Sequence, residues 1–341
     1  MKTTLRNALV PTLLVTMCWP IQAAQKADLR FRPTPADKQT LRLRSTLDMS
    51  VKMGEQEQVI TNSKTITLAF EAVQTAADGT VLVRVRFVAI REKGGTKEGG
   101  PGVEYDSTKP QNPDDPMARH YSAFIGASFP IKVSPRGEIV EMGTDELFLA
   151  VAGNTMEQED TMIRARLRER ADQAIERTNQ RFGGREGRKQ ALKKQVETFP
   201  LLNAKAVRGL LDSVLVRFPK DPVPTGGSWE APVTPVLSTP FDMTAAHTLK
   251  GMTADACTIE IMGRRTMQDP PIVSQAGSTQ TATKLAGTYT ATAKVDPRTG
   301  LVLGKHAQIK FTGEAQSPAR QGKSETIQTT MEGTTTVEAV E

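Results

Sequence analysis

Residues 41–53 read Leu-Arg-Leu-Arg-Ser-Thr-Leu-Asp-Met-Ser-Val-Lys-Met. The odd positions carry Leu41, Leu43, Ser45, Leu47, Met49, Val51 and Met53, and the even ones Arg42, Arg44, Thr46, Asp48, Ser50 and Lys52. A period of two sustained over that length is a long β-strand with one apolar and one wet face. Gly54 marks a turn, after which Ile66, Leu68, Phe70 and Ala72 fall on one face of a second strand. Asp78-Gly79 is a hairpin signal, and the third strand opposes Val81, Val83, Val85 and Phe87 to Arg84 and Arg86.

Working outward, residues 92–119 hold Gly94-Gly95, Gly99-Gly100 and Asn112 to Pro116 without periodicity, which predicts a long irregular loop. Phe129, Ile131 and Val133 then lead into Ser134-Pro135-Arg136-Gly137 and out through Ile139 and Met142, another hairpin. Across 145–218 the apolar positions Ile163, Leu167, Ala171, Ile175 and Phe182 recur three to seven apart among many charges, predicting amphipathic helix broken at Gly183-Gly184 and near Pro200. Beyond Pro219 strands return. Phe241, Met243, Ala245, His247 and Leu249 share one face, followed by Cys257, Ile259 and Ile261, then residues 287–295, the turn at 296–300, and Leu301, Leu303, Ile309 and Phe311; Thr334 to Val340 adds a further strand.

The fold class is α+β, mostly antiparallel β: two curved, half-barrel-like strand-rich halves, residues 25–144 and 219–341, linked by a basic helical segment, residues 145–218. Gly126 to Val140 and Gly287 to Val302 align across a Pro-Arg turn, which points to an internal duplication; Pro and Gly recurring in any hairpin is the plainer account.

The chain has 341 residues, 44 basic and 38 acidic side chains, two cysteines and 5% aromatic residues. Lys2 and Arg6, the apolar run from Ala8 to Trp19, and Ala23-Ala24 have the order of a secretory signal over residues 1–24, so the protein is expected in the periplasm or outside the cell. Met17 before Cys18 does not fit bacterial lipid attachment, so no anchor is expected there. Without Lys2 and Arg6 the charges number 42 basic against 38 acidic, too balanced for a dedicated nucleic-acid binder. Cys257 is then the sole cysteine, so stability rests on packing rather than an intramolecular disulfide.

The long first strand with its Met-rich hairpin, Ala77-Asp78-Gly79, Tyr105-Asp106-Ser107, Phe129 to Gly137, and Pro219 with Gly226-Gly227-Ser228-Trp229 together resemble an uncharacterised family of exported bacterial proteins. That family is common in planctomycetes, often lipid-anchored, and defined as a domain of unknown function. The resemblance implies a secreted β-rich domain and brings no catalytic residue with it.

Reactive constellations are sparse. A hairpin centred on Met252 would set His247 opposite Cys257, near Asp255, the minimum for a cysteine nucleophile. Both residues lie on apolar phases, which favours core packing. Asp106, Ser107 and His120 hold the letters of a triad without its Gly-x-Ser-x-Gly frame. Glu104, Asp106, Asp114 and Asp115 lack calcium-loop spacing, no Cys/His cluster suits zinc, and Gly94 to Gly102 lacks a phosphate-loop ending. Trp229 reads as the start of a strand at the core edge. No enzyme activity and no cofactor are expected.

Two features point to binding. Methionines adapt to varied shapes, so Leu47, Met49, Met53, Phe70, Phe87 and Met243 are expected to line an apolar groove for a lipid or similar ligand. Between Arg164 and Lys194 eleven basic residues face four acidic ones, and Arg164, Arg168, Arg181, Arg188 and Lys193 are expected to meet an anionic membrane surface or an envelope protein. A scaffold that recruits a partner through residues 92–119 or the basic helix is the alternative. A hydrolase is the third.

Overall fold

The computed structural model describes residues 26–97, 102–110, 112, 115–198, 203–235, 243–268, 273–275, 278–316 and 326–340. The expected signal segment with Cys18, as well as Asp114, Pro200 and Phe241, lie outside the described residues. In chain order the strands are β1 (Lys26–Ala27), β2 (Lys38–Met53), β3 (Gln56–Thr75), β4 (Val81–Thr96), β5 (Val103–Asp106), β6 (Ser128–Val133), β7 (Ile139–Met142), β8 (Val223–Pro224), β9 (Ser228–Val233), β10 (Met243–Met252), β11 (Cys257–Gln268), β12 (Val273–Gln275), β13 (Ser278–Val295), β14 (Val302–Gln316) and β15 (Thr326–Val340). Helix α1 (Pro116–Phe124) precedes β6, and α2 (Thr144–Leu167), α3 (Ala171–Arg181), α4 (Arg185–Glu197) and α5 (Ala204–Val214) lie between β7 and β8.

A single 13-stranded sheet runs β7-β6-β4-β3-β2-β15-β14-β13-β11-β10-β9, with β5 on β4 and β12 on β13; β1 and β8 pair separately. It is open, and the two strand-rich halves are parts of one sheet. The halves are continuous because β15 zips onto β2 from Val340↔Thr40 to Ile327↔Met53. Pairing these two long strands removes two edges that would otherwise present rows of unsatisfied N–H and C=O groups.

The alternation read from the sequence is the alternation of burial. Leu41 and Leu43, Ile66, Leu68 and Phe70, and Met243, Ala245, His247 and Leu249 all point to the buried, inner face. In β4 the phase changes: Val81, Val83, Val85 and Phe87 are buried, Val88 is exposed, and Ile90 is buried. A bulge between Leu68↔Phe87 and Thr67↔Ala89 causes this, since one extra residue flips every side chain after it. The expected loop at 92–119 is therefore partly ordered structure: β4 continues to Thr96, β5 pairs back onto it, and α1 begins with Asp115 accepting the Met117 N–H ahead of Pro116.

The helical stripe is also corrected. Leu167 and Phe182 are exposed while Ala171 and Ile175 are buried, because α2 ends at Arg168, whose φ of +44° breaks the phase. Helix α2 instead buries Leu147, Phe148, Val151, Ala152 and Met156, and α5 buries Val207, Leu210, Leu211 and Val214. No helix among the described residues is long and apolar enough to cross a membrane.

The turns at 134–137 and 296–300 each receive a passing backbone. Phe31 N donates to Pro135 O (2.7 Å), Arg32 N to Thr299 O (2.8 Å) and Phe218 N to Arg136 O (2.9 Å). Gly137 and Gly300 have φ of +73° and +72°; a Cβ there would sit 2.1 Å from Val216 O and 2.3 Å from Arg30 O. The two docking segments are alike, Leu29-Arg30-Phe31-Arg32-Pro33 and Leu215-Val216-Arg217-Phe218-Pro219, and both phenylalanines are buried. Phe31, Val214 and Leu215 close over Leu41 and Phe70, leaving a cavity of about 20 Å³ between them. This end of the sheet is sealed.

Candidate functional site

Along the inner face of β2, Leu41, Leu43 and Ser45 are buried, Leu47, Met49 and Val51 are half-buried, and Met53 is 42% exposed. A polar rung marks the change. Cross-strand register aligns Thr335, Ser45, Lys64, Glu92 and Tyr105 on β15, β2, β3, β4 and β5, and all five are buried. Lys64 Nζ lies 3.2 Å from Glu92 Oε2, Asn62 Nδ2 donates to Glu92 Oε1 (3.0 Å), and Tyr121 OH reaches from α1 to donate to Glu92 Oε2. Lys64 Nζ also donates to Tyr121 OH (3.5 Å), and the Tyr105 and Tyr121 rings stack at 5.2 Å.

Desolvating an ion pair costs several kcal/mol per ion, and only a full set of partners offsets it. Glu92 has that set. Burial, and then the neighbouring Glu92, push the Tyr121 hydroxyl well above its ordinary range; burial, with Asp106 adding, pushes Tyr105 up to about 12. Both phenols therefore stay protonated at neutral pH, and Tyr121 donates to Glu92. Tyr105 OH and Thr335 Oγ1 are buried with no hydrogen-bond partner among the described residues. The rung pins α1 to the sheet and divides the inner face into a sealed apolar field and a half-open one.

Beyond the rung, register places Ile60, Met49, Met331, Phe311 and Gly287 in one row, and Leu47, Gly333, Ile309, Tyr289 and Gly263 in the row before it. Glycine here makes room for large neighbours. A Cβ on Gly287 would lie 1.7 Å from the Phe311 ring, and one on Gly333 would meet Leu47 and Ile309 at 3.1 and 3.2 Å. Bulky residues lying over sheet glycines recover the packing those glycines lack.

The expected groove residues divide between the two fields. Leu47, Met49 and Met53 lie in the half-open one. Phe70, Phe87 and Met243 are 7%, 0% and 2% exposed and belong to the packed core, Phe87 against Phe124 and Phe129. Phe70 is covered by Phe31, Val214 and Leu215, and the Met243 sulfur lies over Gly263.

The basic segment is corrected likewise. Arg188 is buried, with Nη1 and Nη2 each 2.7 Å from Asp160 and Glu159, and Arg185 lies 3.5 Å from Asp160. Burial lowers the Arg188 pKa, but its bonds to those two carboxylates outweigh it and the net direction is up. Lys193 bridges Asp145 (2.8 Å) and Glu197 (3.2 Å), and Arg164 lies 3.8 Å from Asp172. Counted over residues 145–197, eleven basic groups face ten acidic ones, so the local surplus disappears once α2 folds back on α4. Arg164, Arg168 and Arg181 remain exposed.

The expected pairing of His247 with Cys257 does not form. The β10–β11 turn falls at 253–256, so Cys257 pairs with Met252 and His247 with Ile261. His247 stacks on Trp229 at 5.5 Å and its Nδ1 meets Ala245 O at 3.1 Å; burial holds its pKa down at about 4. Trp229 Nε1 donates to Arg217 O (3.0 Å), a structural role at the core edge. Asp106 bonds Thr108 and Arg91, Ser107 Oγ accepts the Ile90 N–H, and His120 lies against Tyr121 and Phe124. Among the described residues no group of three or more His, Cys, Asp or Glu could hold a metal ion.

Lys64 and Glu92 were not legible as a site. Lys64 sits on the buried phase of β3, two residues from Ile66, and that was the available signal; Glu92 is hidden because the Val88 bulge inverts the phase before it.

No curated protein matches the sequence. Among solved structures, lipovitellin aligns with a TM-score of 0.42 at 9% identity, over 89% of this chain and 25% of its own, so this chain spans about a quarter of that protein. An outer membrane channel from Pseudomonas putida F1 aligns with a TM-score of 0.20 at 7% identity, over 92% and 98% of the two chains. OccK7 (OpdD) of Pseudomonas aeruginosa gives 0.21 at 6% identity, over 90% and 100%. Likenesses this low carry no argument about this chain. The family model is different in kind: it matches residues 78–179 and 169–302, together well over half of the sequence, and the protein belongs to the family of unknown function DUF6263.

Proposed function

We propose that this protein is exported and, without catalysing a reaction, holds a lipid or similarly apolar ligand against the inner face of its sheet beyond the polar rung. One observation carries the reading. Leu47, Met49, Val51, Met53, Ile60 and Met331 share that face and stay half-buried or exposed beside the buried Phe311 and Ile309, whereas Leu41, Leu43, Ile66, Leu68 and Val337 below the rung are buried. Covering apolar surface is favourable by roughly 25 cal/mol per Å², and flexible methionines accommodate varied shapes. The rung of Lys64, Glu92 and Tyr121 is a fixed polar boundary at which an apolar ligand would stop.

A solvatochromic apolar dye tests this. The wild type is expected to bind it, Met49→Asp to weaken binding about tenfold, since a carboxylate must be desolvated on contact, and Met49→Leu to retain it. Equal binding by Met49→Asp and wild type would sink the reading.

A further inference from the structure

The opposite, outer face carries a cleft of about 1020 Å³ over β2, β3, β4 and the start of β6. Its floor is small: Thr40 and Ala69 lie in one cross-strand row with Arg86 and Ser128, beside a second row of Lys38, Glu71 and Arg84. Three cations thus share one carboxylate. Glu71 is held by Lys38 at 2.9 Å and touched by Arg84 at 4.0 Å. The bond to Lys38 first, and the charges of Arg84 and Arg86 after it, hold the Glu71 carboxyl below its ordinary range. Arg86 itself forms no ion pair or side-chain hydrogen bond among the described residues. Arg84 and Arg86, two positions apart on one strand face with Lys38 close by, carry more positive charge than the single Glu71 carboxylate offsets, and a second anion would relieve their repulsion.

We propose that this cleft binds a phosphate-bearing ligand, with the Arg84 and Arg86 guanidinium forks as charge-assisted donors and Lys38, Thr40 and Ser128 completing the site. Planar guanidinium groups match phosphate oxygens two at a time, which a lysine cannot do. The volume is that of a small-molecule pocket, with room for the organic part of a phosphoester. The phosphate can come from a soluble organophosphate or from the headgroup of an anionic lipid.

Calorimetric titration with glycerol phosphate, and sedimentation with phosphatidylcholine vesicles with and without phosphatidylglycerol, separate the two sources. Wild type is expected to bind glycerol phosphate, phosphatidylglycerol vesicles, or both; binding to the vesicles that inorganic phosphate competes away assigns the headgroup. R84Q/R86Q should lose about tenfold or more in affinity, Glu71→Gln should gain, and R168Q/R181Q on the helical segment should be unchanged. Glu71→Gln guards against a folding defect in the double variant, because it predicts a gain. Met49→Asp, on the other face, should leave anion binding intact, so this proposal and the apolar-ligand reading fail separately. Absence of binding to both probes, unaltered binding by R84Q/R86Q, or loss in R168Q/R181Q instead would overturn it.

Discussion

Lys64 stands two residues from Ile66 on the buried phase of β3, and its amine has Glu92 and Tyr121 within reach. Removing one member leaves the other buried and uncompensated. Lys64→Met is expected to cost about 3–5 kcal/mol in urea unfolding, and K64M/E92L to recover most of it; a single variant as stable as wild type would show that the rung does not hold α1. His247 and His120 offer a second test at this scale. Burial lowers both to about 4, from 6.5. The unfolded chain therefore binds protons that the folded one refuses, so their stabilising contribution is complete above pH 6.5 and is lost as pH falls toward 4. Each is expected to account for about 3 kcal/mol across that window. His247→Gln should flatten the acid limb of the stability curve; an unchanged slope would contradict the buried, neutral state.

At the scale of elements, the strands were legible and the interruptions were not. Period-two alternation marks β2, β3 and β10 directly, because a half-buried sheet sorts side chains by face. The Val88 bulge and the Arg168 break are set by how neighbouring elements pack, so the pattern on either side looks continuous until the phases are compared in space. Arg188 and Lys193 are drawn out of the basic surface for a related reason. Their partners Asp145, Glu159, Asp160 and Glu197 lie outside the stretch where the arginines cluster, and only the fold of α2 onto α4 brings them together. The Pro-Arg turns were visible as turns, but their docking role depends on residues 30–32 and 216–218 arriving from far along the chain. Gly300→Ala should cost about 2 kcal/mol or more, from the strained φ and the approach of Arg30 O. Gly226→Ala shares a positive φ of +85° with nothing within 4 Å of its Cβ, and should cost less. Equal melting temperatures for the two variants would remove the close approach from the account.

For the whole molecule, the joining of first long strand to last, β2 to β15, makes one open sheet of what the sequence presents as two strand-rich halves. No local pattern announces that pairing, since both strands alternate in the same way and contact order alone separates them. The consequence is an inner face closed at one end by the docking segments and α5, crossed by a polar rung, and half-open beyond it. The account's central claim is that an apolar ligand lies on that half-open field. Native mass spectrometry of protein purified from its own cells without detergent tests it most directly. The account predicts a reproducible added mass, extractable as lipid or another apolar compound, that is lost in Met49→Asp and kept in R84Q/R86Q. A clean polypeptide mass for the wild type, or an added mass indifferent to Met49→Asp, would contradict it.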